Sequence, residues 1–236
     1  MKITLLTGKT YDIEAAVGFP LKIIKSPRAK RLTLRIDQQE RIPVLTMPQR
    51  CAAKRAAEFV LSYKGWIEQA LNKIPETKQF CDGTQISFFG RTLTIRHTPD
   101  KRCGVREENG ILIVSGRAEF LHRRVKDYLK KQAQAELWIL SKQQADKLGC
   151  PLKDVTIKDT KSRWGSCSSL HNINYNWRIS LAPESVIFYM VAHEVSHLKH
   201  QDHSGAFWKC VKELYPQADE GKSWLHRYGK DLYLYE

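Results

Sequence analysis

Residues 190–203 read Met-Val-Ala-His-Glu-Val-Ser-His-Leu-Lys-His-Gln-Asp-His and contain the pattern His193-Glu194-x-x-His197. On an α-helix, two histidines four residues apart project from one face, so both imidazoles can bind the same metal ion. Glu194 is rotated about 100° from His193, which brings its carboxylate near the ion without making it a ligand. There it can act as a general base on a water whose pKa the ion has lowered. The pattern therefore predicts a metal-dependent hydrolase.

A catalytic zinc site needs a third protein ligand and an open fourth position. The apolar neighbours of the histidines indicate a buried helix that begins near Pro183 and runs to about His200. The turn after this helix would return His203 toward the ion, so His203 is the predicted third ligand. Asp202 or Ser204 would cap the next helix or orient a ligand histidine. Other candidates are weaker: His200 is angled away from the ion, Glu213 has the setting of a solvated helix carboxylate, and His171 and His226 are weaker still.

The first half of the chain alternates between strand and helix patterns. Apolar and polar residues alternate in three short stretches from residue 21 to 45, and Pro43 predicts that the third strand lies at an edge or is bulged. Helical spacing of apolar residues predicts a helix over 50–73, divided near Gly65, and a long amphipathic helix over 118–148. Residues 81–114 between these helices are predicted to form strands.

Short strands precede the motif helix. Val155–Lys158 and Ile173–Leu181 alternate as strands, and the second is a candidate edge for an extended substrate. Between them lies Ser162–Cys167, Ser-Arg-Trp-Gly-Ser-Cys. Its Arg163 is a candidate for stabilising an oxyanion or a phosphate, and a plain surface charge is an equal alternative. A further helix with an apolar stripe is predicted over 204–215.

The net charge of +14 favours an anionic substrate or nucleic acid as partner, with a basic solvated surface as the equal alternative. The basic face of the 118–148 helix is better explained by solvation than by a dedicated binding surface. The sequence has no secretory leader pattern and no apolar run of about 18 residues, so we expect a cytoplasmic protein with no membrane partner. Six widely spaced cysteines predict reduced, mostly buried thiols.

Several motifs together resemble one known family. Ser162–Cys167, the Asn174–Arg178 strand, the His193–His200 motif and the segment Asp202–Trp208 look like the YgjP-like metal-dependent hydrolases, which are related to the SprT-like zincins. The resemblance covers most of the chain. It implies His193, His197 and His203 as metal ligands and Glu194 as general base, with Zn2+ or another divalent transition metal as cofactor.

The predicted fold class is α+β. A mostly β N-terminal region with interposed helices, residues 1–117, is expected to join a C-terminal minimal zincin-like metallopeptidase domain, residues 118–236, that begins with the long helix. Metzincins are excluded, because they need a methionine turn downstream of the motif and the methionines are Met1, Met47 and Met190.

Three functions are compatible with these features. A zinc metallopeptidase is preferred. A metal-dependent nucleoside triphosphate (pyro)phosphohydrolase is the second, because the charge of +14 favours a phosphate-bearing substrate. The third is a nucleic-acid-associated protein with a SprT-like protease site. A purely structural zinc site is disfavoured, because Glu194 and three clear ligands describe an open site.

Overall fold

The computed structural model describes residues 2–4, 10–37, 40–73, 76–101 and 103–235. The chain divides into two compact units, Met1–Glu76 and Thr77–Glu236. Each unit contains both helices and sheets, which confirms the predicted α+β class. Among the helices of the described residues, none is long and apolar enough to cross a membrane.

The first unit combines a strand pair, a three-stranded sheet and helices around one core. The helix predicted over 50–73 is two helices, which separate at Tyr63, two residues before Gly65. The first two strands and the first helix are additions to the predicted elements. The elements are β1 (Lys2–Thr4), β2 (Thr10–Asp12), α1 (Ile13–Val17), β3 (Lys22–Ser26), β4 (Thr33–Asp37), β5 (Ile42–Pro48), α2 (Ala53–Ser62) and α3 (Lys64–Asn72).

Strand β5 is the central strand of this sheet, so the edge position predicted from its proline is wrong. The strand order is β3-β5-β4. Pro43 pairs with Ile36 of β4, whereas the parallel pairing with β3 begins one residue later, at Val44 and Lys22. The missing N–H of Pro43 therefore interrupts no pairing on the β3 side, which explains how a central strand accommodates a proline.

The second unit contains a four-stranded sheet in the order β6-β7-β9-β8 and a three-stranded sheet in the order β10-β12-β11. The β8–β9 turn has positive φ at both Asn109 and Gly110, 50° and 77°, which is the backbone that an Asn-Gly hairpin turn favours. The elements are β6 (Gln85–Phe88), β7 (Arg91–Thr98), β8 (Val105–Glu108), β9 (Ile111–Ser115), α4 (Leu121–Lys147), β10 (Asp154–Lys158), β11 (Gly165–Cys167), β12 (Asn172–Asn176), α5 (Glu184–Ser196), α6 (Gly205–Leu214) and α7 (Ala218–Leu232).

One core joins the sheet β6–β9 to the long helix α4. Leu121, Val125, Leu129 and Ala133 recur every four residues along one face of α4 and are buried, as the amphipathic pattern predicts. The same core includes the inward side chains of β6, β7 and β9. Chain contacts divide the molecule before these strands, at residues 76 and 77. The boundary expected after residue 117 stays a prediction.

The strand predicted over Ile173–Leu181 is only half a strand. β12 ends at Asn176, and the five residues Trp177–Leu181 form a buried 3-10 helix. The side-chain oxygen of Asn176 accepts the N–H of Arg178 and so caps this turn. β12 is also the central strand of its sheet, so the edge role proposed for it is wrong and passes to β11.

Helix α5 contacts α4, α6, α7 and β11. α7 was not predicted, although Asp219 and Glu220 in its first turn are typical of a helix start. A Cβ on Gly221 of α7 would lie 2.5 Å from the Cβ of Tyr189 on α5, so the two helix backbones approach closely at this glycine.

Candidate metal centre

The motif histidines lie at the carboxyl end of α5. The helix ends with His197 as its C-cap, so its predicted extension to about His200 is wrong. The N–H of His200 turns back to the carbonyl of Ser196, which closes the helix in a tight turn. The chain then reverses, and His203 returns to the end of α5 just before α6 begins.

Three histidines, His193, His197 and His203, converge at this turn. One ring nitrogen from each lies within 4.8 Å of the others. Nε2 of His193 and Nε2 of His203 are 3.3 Å apart. A tetrahedral ion with metal–nitrogen bonds of about 2.0–2.1 Å holds its ligand nitrogens about 3.3–3.4 Å apart. The three side chains therefore fit a small divalent metal ion.

The protonation of these side chains also suits a metal. Burial, with the neighbouring His197 and His203, lowers the pKa of His193 to about 3, so its imidazole is neutral near pH 7. Burial also lowers the pKa of His197. Nδ1 of His197 lies 2.9 Å from the carbonyl oxygen of His200, which can only accept, so the proton is on Nδ1. This bond leaves the Nε2 lone pair of His197 available to a metal.

Phe207 is the apolar support of the cluster. Its fully buried ring packs against His193, His197 and His203, with centroid distances of 5.0, 4.5 and 4.8 Å. The hydroxyl of Ser204 accepts the N–H of Phe207 and caps α6, one of the two caps that the sequence predicts. The first turn of α6 therefore fixes the ring that backs all three imidazoles.

Glu194 is a residue of α5 whose side chain is buried against β11. Glu194 is 3% exposed, and burial raises the pKa of its carboxyl to about 8. Within the described part of the chain, it pairs with no lysine or arginine, although the chain is strongly basic. A cation held by the three histidines would oppose this rise and favour the carboxylate.

Gly165 of β11 leaves the space that Glu194 occupies. A Cβ at residue 165 would lie 2.5 Å from Cδ and 2.7 Å from Cγ of Glu194, and closer still to Oε1. Real Cβ atoms do not approach other atoms so closely, so glycine is the residue that fits without a shift. Burial, and then the charge of Glu194, raise the pKa of the half-buried Cys167 thiol to about 11.

The rest of the Ser162–Cys167 segment contributes to packing. Trp164 lies against Tyr233 beyond the end of α7, with ring centroids 4.5 Å apart. Arg163 is exposed, and among the described side chains none of the site residues contacts its guanidinium. The structure thus gives no support to the oxyanion role considered for Arg163.

Other candidates lie outside the histidine cluster. The backbone carbonyl of His200 accepts from the His197 ring, and the ring of His200 is not part of the cluster. Glu213 is an exposed α6 side chain 3.9 Å from Lys209, which is the solvated setting expected for it. His171 occupies a turn between β11 and β12, and His226 is exposed on α7. Sequence reasoning missed Gly165 and treated Phe207 as ordinary core; the glycine beside a tryptophan in a strand was the available signal.

Asp159 is the centre of a second group of charges in the same unit. Its carboxylate pairs with Arg178 at 2.5 Å and with Lys126 and Lys130 of α4, each at 3.3 Å. Arg178 is 5% exposed and also donates to the carbonyl of Tyr235 at 2.7 Å. Lys126 and Lys130, two cations of the basic face of α4, are therefore already paired with a carboxylate of the same unit.

The six cysteines are free thiols, as predicted, but Cys210 alone is buried and Cys81 is exposed. The other four are half-buried. The expectation that most would be buried is therefore wrong, because these cysteines lie near element ends and turns.

Comparison with known proteins gives one broad match. The family model described as YgjP-like, metallopeptidase domain, matches residues 30–228. A solved structure, the metallopeptidase zymogen of Pyrococcus abyssi abylysin, is 28% identical and covers 40% of this chain and 93% of that chain, with a TM-score of 0.35. At that TM-score the likeness carries no argument about this chain. No curated protein matches it.

Proposed function

The chain belongs to the YgjP-like metallopeptidase domain family, and from this premise we propose that it is a zinc-dependent peptidase. In this proposal His193, His197 and His203 bind the ion and Glu194 is the general base. One observation carries it: three imidazoles that can bind a metal meet at the end of the helix that also holds a buried carboxylate, and no lysine or arginine of the described residues pairs with that carboxylate. Another divalent transition metal is the alternative occupant, because imidazole ligands suit several of them.

When bound, the ion supplies a Lewis acid that polarises a carbonyl and lowers the pKa of a water. His193, His197 and His203 would hold the ion, and a catalytic site with three protein ligands would keep a further position open for such an oxygen. Glu194 accepts the proton of the attacking water and then gives it to the departing amine. The close approach of Gly165 restricts the Glu194 side chain, so its carboxylate keeps one position through both proton transfers.

An extended peptide is the substrate that the neighbouring sheet favours. β11 pairs with β12 on one side, and no described strand pairs with its other side. A peptide added to this free edge would form backbone hydrogen bonds with β11 and pass beside Glu194, which lies on Gly165 of the same strand.

Zinc content and peptide hydrolysis test the proposal together. Purified protein, stripped with a chelator and reconstituted, should bind one zinc per chain by elemental mass spectrometry and should cleave casein only when reconstituted. His197→Ala should lose zinc and activity. His226→Ala, at an exposed histidine outside the cluster, should keep both.

Two results would contradict parts of the proposal. Full zinc retention in His197→Ala would show that the ligand set is wrong. Release of phosphate from nucleoside triphosphates, lost in His197→Ala, with no cleavage of casein or of a peptide library, would leave the metal site standing and replace the peptide substrate by a nucleotide.

A further inference from the structure

A groove on the first unit is lined by cations. Its volume is about 890 Å³. It lies where the chain enters β4, leaves β5 and forms the first two turns of α2. Its charged walls are Lys30, Arg31, Arg50 and Arg55, and its apolar lining includes Leu32, Pro48 and Phe59. We call this feature the basic groove.

The cations of the basic groove have no acidic partners. Within the described residues, no carboxylate is within ion-pair distance of Lys30, Arg31, Arg50 or Arg55. The one acidic side chain in the lining, Glu58, instead faces Lys54 at 4.0 Å. Other cations of this unit do have partners: Lys22 with Glu40, Arg35 with Asp37, and Lys64 with Glu68.

This concentration of charge is local. Met1–Glu76 makes up about a third of the chain but carries half of its net charge of +14. Like charges around one concavity repel one another and raise the local potential, which an anion relieves. On α4, in contrast, Lys126 and Lys130 are bound to Asp159. The basic groove is therefore the better candidate for a polyanion site.

Two aromatic side chains in contact lie at this groove. Phe59 lines the groove, and its ring centroid is 5.0 Å from that of Tyr63. Tyr63 is 46% exposed. An exposed ring beside a groove lined by arginines is the combination that stacks an unpaired base while cations hold the phosphates. A duplex hides its base faces, and a lone phosphate would not use the rings.

We propose that the basic groove binds a single strand of nucleic acid, with the four cations on its phosphates and Tyr63 stacked on a base. This site lies wholly within the first unit and does not depend on the peptidase activity proposed above.

Fluorescence anisotropy with a labelled oligothymidylate of about 20 nucleotides tests the site on the full chain. The variant Lys30→Gln/Arg31→Gln/Arg50→Gln/Arg55→Gln should bind at least about tenfold more weakly, with a slope of log K against log salt that is shallower by about 3. The matched control, Lys22→Gln/Lys25→Gln/Arg35→Gln/Lys64→Gln, removes the same charge from the same unit and should lose much less.

Stacking has its own pair of variants. Tyr63→Ala should weaken binding by about tenfold without changing the salt slope, because base stacking contributes about 1–3 kcal/mol per base. Leu61→Ala, at a 42% exposed apolar residue of α2, should bind normally.

Three outcomes would overturn the site. The first is an equal loss of affinity in the two charge variants, which would make the attraction diffuse. The second is a duplex of the same length, or a competing free nucleoside triphosphate, that binds as tightly as the single strand. The third is normal binding by the aromatic variant, equal to that of Leu61→Ala. Circular dichroism melts of every variant verify that a loss is not unfolding.

Discussion

Two carboxylates of the second unit, Glu194 and Asp159, have opposite surroundings. Glu194 is buried and pairs with no lysine or arginine of the described residues, and burial raises its pKa to about 8. Partial burial also acts to raise the pKa of Asp159, but Arg178, Lys126 and Lys130 outweigh it and hold that pKa well below its ordinary value. One acid is thus kept available to exchange a proton, while the other is fixed as a permanent charge. Although the chain is basic, no lysine or arginine among the described residues pairs with Glu194.

Removing the charge of Glu194 should have the largest effect on activity. Glu194→Gln keeps the size of the side chain but cannot accept a proton, so kcat should fall by about 10²–10⁴-fold. Zinc content and the melting temperature should stay close to those of the wild type, because the proposed ligands are His193, His197 and His203 and not Glu194.

Asp159→Asn is the variant whose activity is compared with that of Glu194→Gln. Glu213→Gln is a second control, because it removes an exposed carboxylate of α6. Both should keep most of the wild-type kcat. Equal loss in Glu194→Gln and Asp159→Asn would remove the distinction between the two acids, and full activity in Glu194→Gln would end the general-base role.

Moving the Glu194 carboxylate should have the second largest effect. Gly165→Ala places a Cβ where Cδ and Cγ of Glu194 now lie, so the carboxylate must shift. A shift of about 1 Å in a catalytic group costs on the order of 100-fold in rate. We expect kcat to fall and KM to change little. Gly65→Ala, whose Cβ would meet no atom within 4 Å, is the control.

Stability measurements show whether residue 165 must be glycine because of Glu194 or because of the backbone of β11. In the wild type, Gly165→Ala should cost about 1–3 kcal/mol of unfolding free energy, the usual range for an overpacked site. In a Glu194→Ala background, the clashing atoms are gone, so the cost should be less than half as large. The same cost in both backgrounds would show that Glu194 is not what Gly165 makes room for.

The histidine and glutamate positions could be predicted from the sequence because their geometry is local. A four-residue spacing on one helix places His193 and His197 on one face whatever the rest of the chain does. The approach of His203 needed one further step, a turn after α5. The end of α5 was placed too late, because the bond from His200 to Ser196 that closes it is not visible as a composition change.

Contacts between distant segments could not be predicted in this way. Gly165 meets Glu194 only when β11 packs on α5, and Asp159 meets Arg178 only when β10 and the 3-10 turn come together. Helix α7 was missed because two of its buried positions, Gly221 and Gly229, are glycines, which no apolar pattern registers. A Cβ would lie 2.5 Å from the Cβ of Tyr189 at Gly221, which excludes a larger residue, and 3.1 Å from Leu225 at Gly229, which is tight.

Asp159→Asn should lower stability more than it lowers activity. It leaves the guanidinium of Arg178, which is 5% exposed, without a carboxylate among the described residues, although the guanidinium still donates to the carbonyl of Tyr235 and lies over the ring of Trp177. Removing one partner of a buried ion pair costs several kcal/mol, but Asp159 is 39% exposed, so solvent reduces the expected cost to about 1–2 kcal/mol. Urea unfolding measures it. Asp219→Asn, which removes the exposed partner of Lys212, should change stability by less than about 0.5 kcal/mol.

The smallest predicted effect is the pH dependence of the difference in unfolding free energy between the wild type and Asp159→Asn. Because the folded-state pKa of Asp159 is depressed, its contribution is fully present above the unfolded pKa of about 3.9 and is lost as the pH falls toward the folded value. The stability gap between wild type and Asp159→Asn should therefore be constant from about pH 7 to 5 and should shrink below about pH 4. Other carboxylates and the metal-site histidines titrate in both proteins, so their effects cancel in the difference. A gap that stayed constant to about pH 2.5 would mean that the asparagine variant loses packing and not charge, and that the contrast with Glu194 is one of burial alone.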